Sequence, residues 1–192
     1  MTLQERISVS TAPEPYRVTQ RDYKLLDESG AFVRYAKTEL IEGKIVAVNA
    51  QHAPHIRVQS TLFRALADAC DAIADGPKAW IDGSIDLAEF SMPQPDIFIA
   101  DTLPDKGAVP LSTVRLMIEI ADTSLRNDLN VKTPLYANAG IAEYWVVDVE
   151  GRVIHQMWGP VAERYAERRT VAFGERIEAA TVAGLTVNTG IL

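Results

Sequence analysis

One acid interrupts an otherwise apolar run at Leu116-Met117-Ile118-Glu119-Ile120-Ala121. A short continuous run of this kind reads as a buried strand. An unpaired carboxylate inside it costs several kcal/mol, so Glu119 needs a cation, a hydrogen-bonding partner or a strand-end position open to water. Asp96 poses the same question: it follows Pro95 and opens the apolar run Ile97-Phe98-Ile99. Two strands that bring one acid each to a common place can hold a hard cation such as magnesium, which prefers oxygen ligands and keeps several waters. The bland alternatives are a turn-capping role for Asp96 and a salt bridge from Glu119 to Arg115 or Arg126.

The surrounding pattern predicts a mixed sheet with helices packed on it. Thr19 reads as a helix N-cap with Asp22 in the capping-box position, Tyr23 and Leu26 on one face, and Gly30 at the exit. Leu40-Ile41 and Lys44-Ile45-Val46 flank Glu42-Gly43, a hairpin signal. From Pro54, the residues Leu62, Phe63, Leu66, Ala69, Cys70 and Ile73 recur at helical steps, and Asp75-Gly76-Pro77 stops the helix. Strands are expected over 79–82, 84–87, 96–100, 114–121, 143–148, 152–157 and 164–173. A second helix ends near Asn138 with Gly140 as its cap, and Thr133-Pro134 places its start at 133 after an approach turn over 124–132. Residues 1–18, with Pro13 and Pro15, read as an extended lead-in to one domain spanning 19–192.

Lys132 lies 13 residues beyond Glu119, with Asp128 four residues before it. On a helix the two share a face as an i, i+4 pair worth a few tenths of a kcal/mol. In one reading the pair is solvated. In the other, the ammonium points at the acids, where it orients a water and stabilises charge developing on a phosphate. His52, His55 and His155 show no metal-ligand spacing with Cys70, and no nucleophile elbow or phosphate-cradling glycine loop occurs. Cys70 and the rings of Trp80, Trp145 and Trp158 read as packing.

A lone cysteine excludes an intramolecular disulfide framework and a cysteine-rich zinc site. No apolar run approaches a membrane span, and the first residues lack a secretory core, so a cytoplasmic location is expected. The net charge of −7 argues against a protein that coats nucleic acid non-specifically. Contact with DNA must therefore come from a local patch, for which Lys37, Lys44, Arg57, Arg115, Arg126 and Arg152 are the candidates.

Several blocks together resemble the bacterial Uma-two family of the PD-(D/E)XK nuclease superfamily. They are Glu39-Leu40-Ile41-Glu42-Gly43-Lys44-Ile45, Pro93-Gln94-Pro95-Asp96-Ile97 and Ile118-Glu119-Ile120-Ala121-Asp122-Thr123-Ser124. The match runs on through Lys132, Tyr136, Ala139-Gly140-Ile141 and Glu143-Tyr144-Trp145-Val146-Val147-Asp148. The resemblance implies a restriction-endonuclease-like α/β (α+β) core, a central mixed sheet flanked by helices. It also implies that Asp96 and Glu119 bind magnesium, with manganese as a substitute, helped by the Ile120 carbonyl and by Glu39. A standard E-x-K would place lysine at 121, where this chain has Ala121. The resemblance therefore suggests a migrated lysine, Lys132. The expected activity is a magnesium-dependent DNA endonuclease with Asp96, Glu119, Lys132 and Glu39 as catalytic residues, acting as a homodimer. The rivals are an inactive nucleic-acid- or protein-binding module on the same fold, and hydrolysis of a small phosphorylated metabolite.

Overall fold

A computed structural model describes residues 14–48 and 51–192. Most of the lead-in expected over 1–18 therefore lies outside the described residues. Helix α1 (Gln20–Glu28) starts with the expected reciprocal cap: the Thr19 hydroxyl accepts from the Asp22 amide, and the Asp22 carboxylate accepts from the Thr19 amide. Buried Tyr23 donates its hydroxyl to the Thr38 carbonyl at 2.8 Å and so ties α1 to strand β1 (Lys37–Ile41). β1 returns as β2 (Lys44–Val48) through Glu42 and Gly43, with φ of 50° and 81°. Two successive left-handed residues make the turn whose twist suits a hairpin. A Cβ on Gly43 would also lie 2.8 Å from that of Arg17, so glycine is required twice over.

Helix α2 (Ala53–Asp71) follows, then β3 (Lys78–Ile81), β4 (Ile85–Asp86), β5 (Ile97–Ala100), β6 (Val109–Pro110) and β7 (Val114–Ala121). After a helical segment come β8 (Glu143–Asp148), β9 (Val153–Val161), β10 (Arg164–Ala172), β11 (Arg176–Glu178) and β12 (Thr186–Asn188). Six of these form the main sheet in the order β10-β9-β8-β7-β5-β3, with only β7 and β8 parallel, so the expected mixed sheet is present. β4 lies inside the strand expected over 84–87, whereas its partner β6 and the pair β11–β12 have no counterpart in the sequence pattern, because two or three residues are too few to show a period.

Alternation along the central strands separates two cores. Ile97, Ile99, Leu116, Ile118 and Ile120 pack with Leu62, Leu66 and Cys70 of α2. Phe98, Ala100, Met117 and Ala121 face the other side, with Tyr136, Tyr144 and Ile141. Asp96 and Glu119 share the parity of this second set. Carrying the β5–β7 register one step past its last pair, Ile97↔Ile118, sets Asp96 opposite Glu119. Directly opposed like charges repel, so the fold must compensate them.

The segment expected as an approach turn is helical instead. α3 (Leu125–Asn127) leads into a π-helical turn (Asp128–Lys132) and then α4 (Thr133–Asn138). The Thr133 amide reaches back five residues to the Asp128 carbonyl, which also takes the Thr133 hydroxyl at 3.0 Å and the Tyr144 hydroxyl at 3.2 Å. The wider turn breaks the 3.6-residue period that a sequence reading relies on, and π-turns are frequent at functional sites.

Glu143 is wholly buried and meets no cation among the described residues. It accepts from Trp145 Nε1 and Gln156 Nε2, both at 2.6 Å, and from the Thr181 amide and hydroxyl at 2.8 and 2.9 Å. These bonds pin the C-terminal residues under the sheet. Glu143→Ala orphans several buried donors at once and is expected to cost about 3 kcal/mol in urea unfolding, whereas Glu143→Gln keeps one acceptor and loses less.

Candidate functional site

A cavity of about 310 Å³ opens where the β5 and β7 ends, the β1–β2 hairpin, the first turn of α2 and the π-turn meet. The expected residues Glu39, Asp96, Glu119, Ile120 and Lys132 all line it, and Asp128 and His55 join them. The four carboxylates are 7% exposed or less, and Lys132 is 6% exposed. Burial of this depth makes every charge depend on its neighbours.

Asp96 Oδ2 accepts from the Ile120 amide at 2.7 Å and faces His55 Nε2 at 3.1 Å, while Oδ1 has a longer contact of 3.3 Å with Gln51. Burial alone would raise this carboxyl. The His55 hydrogen bond and charge, the Ile120 amide and Lys37 outweigh burial and hold it below the usual range, so Asp96 is ionised.

Pro95 explains the free main-chain groups. The register that pairs Ile97 with Ile118 would pair Ile120 with Pro95. Proline has no amide hydrogen to give, so the ladder cannot take the Ile120 carbonyl. The Ile120 amide goes to Asp96 instead, and Pro95 offers its carbonyl no donor.

Glu119 is held from the other side. Its Oε1 accepts from Lys132 Nζ at 2.9 Å and from the Tyr136 hydroxyl at 2.7 Å. The same ammonium lies 3.2 Å from Glu39 Oε2, and Glu39 Oε1 takes the Gln94 amide at 2.9 Å. The Glu119 carboxyl is pushed up to about 8: burial raises it most, Lys132 pulls it down, and the Asp96, Asp128 and Glu39 charges add to the rise. Burial would depress the Lys132 ammonium, but the Glu119, Glu39 and Asp128 carboxylates raise it, so it stays charged. Both donors sit on Oε1.

Asp128 and Lys132 both turn inward but form no ion pair; Asp128 Oδ2 accepts from Ser124 instead. Glu119 does not meet Arg115, which pairs with Asp101. Of the six basic candidates, Lys37 alone lines the cavity, and Arg126 borders the adjoining depression. Arg152 lies over the Phe173 ring. Sequence reasoning missed the His55 and Tyr136 contacts, which have no spacing signature, and read Asp128 only as the i, i+4 partner of Lys132.

Among the described residues, no three His, Cys, Asp or Glu side chains converge as a ligand set. The donors on offer are two opposed carboxylates and a freed carbonyl. This all-oxygen set fits magnesium, which is commonly held by one or two carboxylates together with water and substrate phosphate. Among the described residues, no helix is long and apolar enough to cross a membrane.

Comparison with known proteins bears on the fold and the family. A crystal structure described as "a putative nuclease belonging to DUF820", from Anabaena variabilis, is similar in fold, with a TM-score of 0.64 at 17% identity. The match covers 86% of this chain and 95% of that one. No curated protein matches the sequence. The family model described as "Uma2: Putative restriction endonuclease" matches residues 23–190, and the chain belongs to that family.

Proposed function

We propose that the chain is a divalent-metal-dependent DNA endonuclease that hydrolyses phosphodiester bonds, with Asp96, Glu119 and the Ile120 carbonyl as magnesium ligands. The observation that carries this reading is that Asp96 and Glu119 line one cavity, set opposite each other by the β5–β7 register, beside Ile120. Family membership supports the same class of activity.

Held by these residues, magnesium would polarise the scissile phosphate and lower the pKa of a coordinated water. Asp96 is already ionised and turned by two donors, so it is ready to accept a cation. Glu119 holds an ion only as a carboxylate, so its raised pKa makes metal uptake compete with protonation. The Lys132 ammonium, fixed between Glu119 and Glu39, holds positive charge where a phosphate gains negative charge in the transition state. Glu39 keeps that ammonium in place. The test is cleavage of plasmid and oligonucleotide DNA by the purified protein in magnesium or manganese. Absence of cleavage in both metals, together with no metal binding by calorimetry, overturns the reading.

One observation favours a non-catalytic binding module instead: Lys132 already neutralises Glu39 and Glu119 internally. Metal titration separates the two, because a site satisfied by lysine takes up no ion.

The raised Glu119 carboxyl gives a pH signature. A carboxyl whose folded value lies above its unfolded one stabilises the fold only while protonated, so stability falls as pH climbs from about 4.5 to about 8. Asp128 is also raised, by burial first, and acts in the same direction. The metal-free protein is expected to melt several degrees lower at pH 8 than at pH 5.5. Manganese should raise the melting temperature more at pH 8, because binding no longer has to displace a proton. Equal metal shifts at both pH values would remove Glu119 from the ligand set.

A further inference from the structure

His55 occupies the first turn of α2, is 8% exposed, and touches Asp96 at the oxygen already held by the Ile120 amide. One turn further along the helix, Gln59 donates to the Asp96 main-chain carbonyl at 3.0 Å. Helix α2 thus grips Asp96 by side chain and backbone together. A carboxylate only accepts, so Nε2 carries the hydrogen of this contact. Nδ1 is buried and has no partner among the described residues. An apolar side chain would avoid that orphaned nitrogen, so packing alone does not account for a histidine here.

Glu119 is held in the same way. The buried Tyr136 hydroxyl joins Lys132 on Oε1, and Oε2 has no protein partner among the described residues. In both acids, two donors fix one oxygen. The second oxygen is left with a single long contact from Gln51 in Asp96, and with none in Glu119.

We infer that His55 and Tyr136 are positioning residues: each ties down one oxygen of an acid and presents the other to a divalent cation. This inference rests on the metal-dependent reading above and adds to it a donor shell around the two acids. Such outer partners set the orientation and basicity of a ligand, and losing one typically costs 10- to 100-fold in metal affinity.

The experiment is calorimetric titration of the full, metal-free chain with manganese, alongside melting curves and steady-state cleavage. His55→Leu is expected to weaken manganese binding about 10- to 100-fold and to lower kcat while the KM for DNA stays near the wild-type value. His55→Gln places an amide Nε2 near the same oxygen and is expected to recover most of that affinity. Tyr136→Phe keeps the ring and loses only the hydroxyl, so it should weaken manganese binding by a similar factor. Wild-type affinity in both His55→Leu and Tyr136→Phe overturns the inference. So does a His55→Gln variant that folds yet binds as weakly as His55→Leu. If His55→Leu fails to fold, His55→Gln and Tyr136→Phe, which conserve volume, still decide the matter. Wild-type protein that binds no manganese overturns the metal-dependent reading itself, a result distinct from failure of the variants alone.

Discussion

Asp96→Asn and Glu119→Gln are each expected to lower metal-dependent DNA cleavage by about a thousandfold or more, equivalent to about 4 kcal/mol of lost transition-state stabilisation. The amides are the informative replacements because the donors around each acid dictate how they sit. Ile120 and His55 both act on Asp96 Oδ2, so the Asn carbonyl takes that position and its NH₂ group replaces Oδ1. Lys132 and Tyr136 both act on Glu119 Oε1, so the Gln carbonyl goes there and its NH₂ group replaces Oε2. In each variant the contacts that hold the fold survive, while a donor replaces the lone pair offered to a cation. Folding should therefore change little. Calorimetry should show manganese binding lost in the double variant, and plasmid cleavage should vanish with it. Cleavage that persists in the purified double variant places the reaction elsewhere in the molecule.

Both acids were visible in the sequence because they are anomalies: carboxylates set in apolar runs that a strand can bury only with compensation. The hairpin at Glu42-Gly43, the Thr19 cap and the periodic face of α2 were visible for a related reason, since each rests on interactions within a few residues. Lys132 carried both a solvated and a functional reading from its spacing, and the family resemblance pointed to the second. Read locally, Asp128 and Lys132 four residues apart look like a solvated helical pair, and only the π-turn brings both inside. The His55 contact with Asp96 depends on how the first turn of α2 docks against the start of β5, which no spacing encodes. The role of Pro95 was hidden for the same reason. A proline before an acid is ordinary until the strand register shows whose carbonyl it fails to meet. Glu143 is the sharpest case, because its partner Thr181 is 38 residues away in sequence and the residue itself looks like an ordinary polar strand end.

Lys132→Met is expected to move metal affinity and catalysis in opposite directions. The ammonium lies 2.9 Å from Glu119 and 3.2 Å from Glu39, so it both repels an incoming divalent ion and occupies oxygens such an ion could use. Removing it leaves two buried carboxylates without their cation. At neutral pH, in the absence of metal, that should cost about 3–5 kcal/mol of stability. Acid relieves part of the loss, because Glu119 is already inclined to hold a proton. Manganese relieves more, by restoring a positive charge, so the variant should bind manganese more tightly than the wild type and gain more in melting temperature from it. Cleavage should still fall by about a hundredfold or more, because a preorganised positive charge beside the phosphate is lost. A purely structural lysine predicts a different result: once manganese has restored the fold, the rate recovers with it. Tighter metal binding with slower cleavage separates an ammonium that takes part in the reaction from one that only keeps two acids apart.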